Sequence, residues 1–365
     1  MAFRSPWLSW TVVVPIVAIV TLALTSGRDL GLVLVVAVAA VLAATVLVAV
    51  HHAEVVASRV GEPFGSLVLA VAVTVIEVAL IITLVLAGGP GTSSLARDTV
   101  FAAVMITTNG IVGISLLLGA LRYRVTLFNA EGTGAALATV ATLATLSLVL
   151  PTFTTSEPGP QFSSGQLIFA ALASLALYAM FVLTQTVRHR DFFLPVTSDG
   201  GVAAEAEVHA PVPTARTTAT SLGLLIVALV AVVGLAKVES PAIEASVLAA
   251  GFPPSFVGVV IALLVLLPET LAAARAALLQ RIQISLNLAY GSAMASIGLT
   301  IPAIGFASVW IDGPLLLGLG STQLVLLALT VVVSVLTVVP GRATRLQGGV
   351  HLVLLATFLF LAIKP

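Results

Sequence analysis

Eleven apolar runs, each long enough to cross a bilayer, are strung along this 365-residue chain, and no other feature limits its fold so strongly. They span approximately residues 7–25, 29–50, 63–87, 98–121, 132–150, 164–187, 218–238, 254–279, 283–308, 313–339 and 347–363. A hydrocarbon core about 30 Å thick needs roughly 20 apolar residues in a helix. Only 8% of the chain is charged and 59% is hydrophobic, against roughly 25% charged in a soluble domain. There is too little polar surface to face water. The alternation of a transmembrane β-barrel is absent. The expected fold is therefore all-α, a polytopic membrane protein of about 11 transmembrane helices.

Arg and Lys placement orients the spans. With a cytoplasmic N-terminus, one face collects Arg4, Arg59, Arg122, Arg124, Arg188, Arg190, Arg216, Arg275, Arg281, Arg342 and Arg345. The other receives Arg28, Arg97, Lys237 and Lys364. The eleven-to-four bias supports both the span count and the direction, and places the C-terminus outside a cell inner (plasma) membrane. The opening MAFRSPWLSW lacks a clean signal-peptide cleavage pattern, so the first span is expected to be retained.

Residues 188–217 form the longest polar stretch, rich in Gly and Pro, with Asp199, Glu205, Glu207 and His209. It reads as a cytoplasmic hinge, or more sharply as a cation-sensing loop. The expected organisation is an extra N-terminal helix (1–28), a five-helix repeat (29–188), the linker (189–217) and a second five-helix repeat (218–365). Five spans is an odd number, so the second repeat enters with opposite polarity, as in the inverted repeats of secondary transporters.

Of the fifteen acidic residues, Glu77 and Glu269 lie near the centre of a span, one in each half. A charge there costs on the order of 3 kcal/mol by insertion scales. No Lys, Arg or His is expected at matching depth. The two acids must then be protonated, cation-bound or exposed to a wet cavity. Thr74 precedes Glu77 by three residues and shares its helical face. Pro268 precedes Glu269 and cannot donate to the carbonyl of Leu264, so a kink is expected. A freed carbonyl beside a carboxylate suits a hard cation. The following spans are polar: MITTNG, with Asn109, in one, and SLNLAYGSAMASIG, with Ser285, Asn287, Ser292 and Ser296, in the other. Bland readings exist for each, since Ser, Thr and Gly pack membrane helices and Asn109 can join helices.

His51, His52, Glu54 and Glu62 flank the cytoplasmic ends of spans two and three, as a hydrated loop or a cation vestibule. Glu131 and His351 read as matching places in the two repeats, and Arg275 as a headgroup anchor. No cysteine is present, which excludes thiolate metal sites and disulfides. No P-loop motif or basic cluster occurs, so neither ATP nor nucleic acid is an expected partner. The absence of H-E-x-x-H and G-x-S-x-G weakens an intramembrane hydrolase. An enzyme or lipid-handling protein using the carboxylates as acid and base, and a cation channel, stay open as rivals.

The segments GEPFGSLVLAVAVTVIEVALI, AVMITTNGIVGISLLLGALRYR, LATLSLVLPTF and LLPETLAAARAALLQRIQISLNLAYGSAMASIGLTIPAIG resemble the two α-repeats of the cation/calcium exchanger superfamily. Within it the likeness is to bacterial ChaA-type antiporters. That resemblance implies ten core helices and exchange of Ca²⁺, or of Na⁺ or K⁺, for protons at a midplane pair of glutamates, with no other cofactor. The cation and proton ligands are then Glu77 and Glu269, completed by Thr74, Asn109, Ser292, Ser296 and the carbonyl of Leu264. Related exchangers carry Gly-Asn shortly before each glutamate. Here Val73-Thr74 and Val265-Leu266 stand instead, so amide ligands are lost.

Overall fold

A computed structural model describes residues 9–28, 30–61, 64–87, 92–196, 213–310 and 313–365. In chain order its helices are α1 (Trp10–Thr25), α2 (Leu32–Val60), α3 (Phe64–Ala87), α4 (Leu95–Met105), α5 (Val112–Tyr123), α6 (Ala130–Ala144) and α7 (Leu150–Phe153). There follow α8 (Ser164–Leu183), α9 (Ala215–Ala249), α10 (Phe256–Val265), α11 (Leu267–Leu278), α12 (Ile282–Gly298), α13 (Thr300–Ala307), α14 (Ser321–Val338) and α15 (Arg345–Ile363). Among the described residues nine helical segments are long and apolar enough to span a membrane. The bent pair α10–α11 makes a tenth, and α1 is a shorter apolar helix. The eleven runs of the sequence thus all reappear as helix.

Their ends differ in instructive ways. Span two does not stop before His51. α2 continues through His51, His52 and Glu54 to Val60, so these residues lie on a helix and not in a hydrated loop. Span seven does not stop at Val238. α9 runs through Glu239, Ser240 and Pro241 to Ala249, because the apolar pattern resumes with Ala242 and Ile243 and a helix tolerates one proline when neighbours hold it. Span ten begins late, at Ser321. The preceding Gly- and Pro-containing segment is extended, and its N–H groups go elsewhere: Leu316 to Ser93 O, Gly318 to Pro160 O and Leu319 to Leu148 O, each at 2.9–3.0 Å.

The chain divides into two compact units, residues 1–92 with 209–257, and residues 93–208 with 258–365. The division cuts across both of the five-helix repeats expected from the sequence. In the first unit α2 packs against α1, α3 and α9, and α9 packs against all three others. Two hydrogen bonds fix the shared end of this bundle. Arg59 Nη1 donates to Pro213 O at 3.2 Å, joining the end of α2 to the approach to α9. His52 Nε2 donates to Thr11 O at 2.9 Å. That carbonyl is available because Pro15, four residues on inside α1, has no N–H to give it. His52 therefore closes a gap in the ladder of another helix.

His52→Ala should leave the partly buried Thr11 carbonyl without its donor and cost about 1 kcal/mol, read as an earlier thermal melt of the purified protein. In a Pro15→Ala background the carbonyl regains a helical donor, and the penalty should largely vanish. A His52→Ala cost equal in both backgrounds would show that the hydrogen bond is not the reason for it.

In the second unit α12 is central, with α4, α5, α6, α8, α11 and α13 around it, and α15 lies along α5. Helices α4 and α5 form one continuous rod because Ile106–Ile111 joins them in π-helical geometry. A short antiparallel strand pair, β1 (Thr126–Leu127) and β2 (Arg342–Ala343), ties the approach to α6 to that of α15.

Candidate functional site

Glu77 lies on α3 with 2% of its surface exposed, and Thr74 one turn earlier with 8%. Their spacing puts both on the face that also buries Ile81 and Leu84. α2 and α9 cover this helix. The sequence expectation of an acid buried mid-span is met here.

Glu269 sits at a break. α10 ends at Val265 and α11 starts at Leu267, with axes bent by 54°. Leu266 between them has φ −86° and ψ 2°, off the helical line. The cause is local: Pro268 offers no N–H to Leu264 and its ring crowds that carbonyl. The expected kink is present. It also places Glu269 in the first turn of α11, where unpaired N–H groups and the helix dipole favour a negative charge. Half-helices whose ends meet an ion are the usual architecture of transporter sites. Thr270 Oγ1 donates to Leu266 O at 2.7 Å, holding the turn from the other side. Glu269 and Leu264 are both half-buried.

Pro268→Ala should restore the Leu264 hydrogen bond and straighten the span. The protein should melt higher, since an interior proline costs a helix about 3 kcal/mol, while ion exchange falls at least tenfold. A straighter, more stable variant with full turnover would show that the break is dispensable.

α11 packs against α12 and the π-helical segment. Ser285 on α12 donates to Ala273 O at 2.7 Å and so clamps the two helices. Ser292 is half-buried and Ser296 is buried. Asn287 does not join them. Its amide donates to Phe193 O at 2.7 Å and its oxygen accepts from Gln283 at 2.9 Å.

Asn109, a candidate ligand from the sequence, has its carboxamide engaged in the structure. It is fully buried, its Nδ2 donates to Thr330 Oγ1 at 3.0 Å, and its Oδ1 faces His351 Nδ1 at 3.1 Å. The amide group is thus oriented by Thr330, and Oδ1 must accept. That puts the imidazole proton on Nδ1 and leaves Nε2 to accept from Thr337 Oγ1 at 3.2 Å. The result is a satisfied network from α14 and α15 to the π-helical turn. His351 is 0% exposed, whereas Glu131 stands exposed in the first turn of α6; the two do not share an environment. π-Helical turns recur at functional sites, and this one covers the ITTNG segment that the sequence singles out.

Of the proposed vestibule, His52 is committed to Thr11, His51 is half-buried beside it and Glu54 is exposed. Glu62 lies outside the described residues, as do Asp199, Glu205, Glu207 and His209 of the linker. Arg275 is exposed near the end of α11, as a headgroup anchor should be. Among the described residues no three His, Asp or Glu side chains gather as a metal site, so a cation shell would draw on hydroxyl and carbonyl oxygens. Among the described residues the sequence reading missed two buried acids, Asp98, which is 4% exposed and paired with Arg97, and Glu239. Glu239 on α9 is 2% exposed. Its signal was the apolar stretch that follows it.

A family model described as sodium/calcium exchanger protein matches residues 5–187 and 220–364. The unmatched gap falls on the polar linker. The chain is 45% identical over 359 residues to the protein y4hA of Sinorhizobium fredii (strain NBRC 101917 / NGR234), covering 98% of this chain and 96% of that one. It is 35% identical over 310 residues to the sodium-potassium/proton antiporter ChaA of Escherichia coli (strain K12), covering 85% and 83%. Its fold resembles that of native YfkE, with a TM-score of 0.70 at 15% identity over 98% of this chain and 99% of that one. It also resembles the H⁺/Ca²⁺ exchanger CAX, with a TM-score of 0.69 at 13% identity over 96% and 86%. With both halves matched around an unmatched linker, and each half carrying its own mid-span carboxylate, this chain belongs to the sodium/calcium exchanger protein family.

Proposed function

We propose that the chain is a secondary antiporter that moves a cation out of the cytoplasm in exchange for protons, with Glu77 and Glu269 as the alternating sites of both. The observation that carries this is the position of Glu269, a carboxylate at mid-span in the first turn of a half-helix created by Pro268. Two ionised carboxylates match a divalent cation in charge. Two protons, or one proton with a monovalent ion, keep the site nearly neutral on the return. Thr74, Ser292, Ser296 and the carbonyl of Leu264 are the further oxygens within this reading, and water fills the rest of a Ca²⁺ shell of six to eight. The 35% identity to an antiporter of sodium, potassium and protons supports monovalent transport alongside Ca²⁺. The Val73-Thr74 and Val265-Leu266 pairs, which supply no amide, favour an ion that needs fewer ligands.

The Arg and Lys distribution supports a multi-pass inner-membrane protein with its N-terminus in the cytoplasm. The coupling is tested in inverted membrane vesicles holding a preset pH gradient. Addition of Ca²⁺, Na⁺ or K⁺ should dissipate it, with saturation in the cation and dependence on the gradient. A channel would pass the cation without moving protons. An enzyme using the same carboxylates would leave the gradient intact. Either result would overturn the antiport reading.

A further inference from the structure

α9 carries a cluster of oxygens that the two-glutamate site does not use. Glu239 is 2% exposed and Ser240 is 0% exposed. Glu239 Oε1 and Ser240 Oγ have no hydrogen-bond partner among the described residues. Two other buried hydroxyls of this unit behave differently. Thr45 and Thr25 return their protons to carbonyls four residues back, at 2.6 and 2.8 Å. Ser240 does not. The next residue, Pro241, lies inside the helix and withholds an N–H from the carbonyl of Lys237. One turn of α9 therefore presents a carboxylate, a hydroxyl and a carbonyl deprived of its helical donor, and among the described residues Glu239 Oε1 and Ser240 Oγ make no hydrogen bond. Glu269 likewise lies near a helix proline, directly after Pro268, whereas Ser240 separates Glu239 from Pro241.

The position of this turn matters. Arg59 is bonded beside the approach to α9, so Arg59 and Arg216 mark one end of the first unit. Glu239 lies 24 residues beyond Ala215, about 36 Å along the axis at 1.5 Å per residue. Gly234, just before it, abuts Leu22 near the far end of α1. Glu239 thus sits at the end opposite the arginines, near the edge of a 30 Å hydrocarbon layer. By the same measure Glu77 is only about 20 Å from the start of α3 at Phe64. On the helices packed against α9, the described basic groups His51, His52 and Arg59 all lie at the arginine end of α2. On α9 itself Lys237 is exposed, so it turns away from the buried face. Arg28, just past the end of α1, is exposed, and among the described residues Glu239 makes no ion pair; a buried carboxylate without one calls for a cation or a proton.

We infer that Glu239, Ser240 and the carbonyl of Lys237 form a second, peripheral oxygen-ligand station for the exchanged cation, on the face opposite the arginines. It rests on the antiport reading above. The station would hold Ca²⁺ or Na⁺ between Glu77 and the far solution, and would set the affinity seen from that side only.

The test compares right-side-out and inverted vesicles, with Ca²⁺ and Na⁺ titrated separately on each face of the full-length protein. E239Q should raise the half-saturating cation concentration about tenfold on the face opposite the arginines. On the arginine face it should stay within about twofold of wild type. S240A should move the same value in the same direction by about threefold, and E239D should restore part of the loss. If E239Q is not monodisperse, S240A decides alone. Unchanged half-saturation on both faces, or equal shifts on both, overturns the station. A wild type that moves no protons on cation addition instead overturns the antiport reading, so the two failures are distinct.

Discussion

Glu269→Gln and Glu77→Gln are each expected to abolish cation-driven proton movement while leaving a folded protein. The substitution keeps the shape and two polar atoms, so packing around the 2%-exposed Glu77 and in the first turn of α11 is conserved. What disappears is the charge and the titratable proton. In the proposed two-glutamate site, a cation left with one carboxylate in place of two loses a charged ligand. Removing one side of a buried charge pair costs about 3–5 kcal/mol, or on the order of 10²- to 10³-fold in affinity. The return step fails as well, because Gln cannot carry a proton across. Transport should therefore fall below about one hundredth of wild type for every cation tested. Gln at Glu239 should behave differently, altering affinity on one face and sparing maximal turnover. Near-normal exchange in Glu77→Gln or Glu269→Gln would remove that residue from the mechanism. A melting temperature far below wild type would mean that the carboxylate supports the fold instead.

The parts of this molecule that were legible in the sequence are those with local causes. Apolar length gave the spans, and Pro268 gave the bend at Leu266, because a missing N–H acts on a carbonyl four residues away. Local reasoning failed where a polar residue inside a helix looked like its end. His51, His52 and Glu54 resemble a loop until Thr11 is seen to need a donor, and that need comes from Pro15 on another helix. Glu-Ser-Pro at 239–241 reads as a terminator, yet α9 continues, since α1, α2 and α3 bury it on several sides. Asn109 was read both as a ligand and as a residue that can join helices, and its partner His351, 242 residues away, could not be named from the sequence. No pattern near either residue reveals that bond. The small residues that permit it were visible, but which glycine meets which depends on how α5 and α15 cross.

That crossing gives the second large effect. A Cβ on Gly348 would lie 2.6 Å from Leu117 N and 3.0 Å from Gly113 O. Both are backbone atoms, which cannot rotate aside. The two helices are antiparallel here, so Gly348 against Gly113 puts His351, three residues on, opposite Asn109, four residues back. Gly348→Ala must push α15 off α5. Overpacking costs about 1–3 kcal/mol. Drawing His351 from Asn109 leaves buried polar groups unsatisfied at about 1–3 kcal/mol each. Against these, alanine returns only about 0.5–1 kcal/mol of helix propensity. The variant should melt well below wild type. Gly349, next in sequence, supplies the control, because a Cβ there meets nothing within 4 Å. Gly349→Ala gains the same propensity with no clash and should match or exceed wild-type stability. Equal melting of the two variants would mean that α5 and α15 do not approach as closely as described, and the Asn109–His351 bond would fall with that contact.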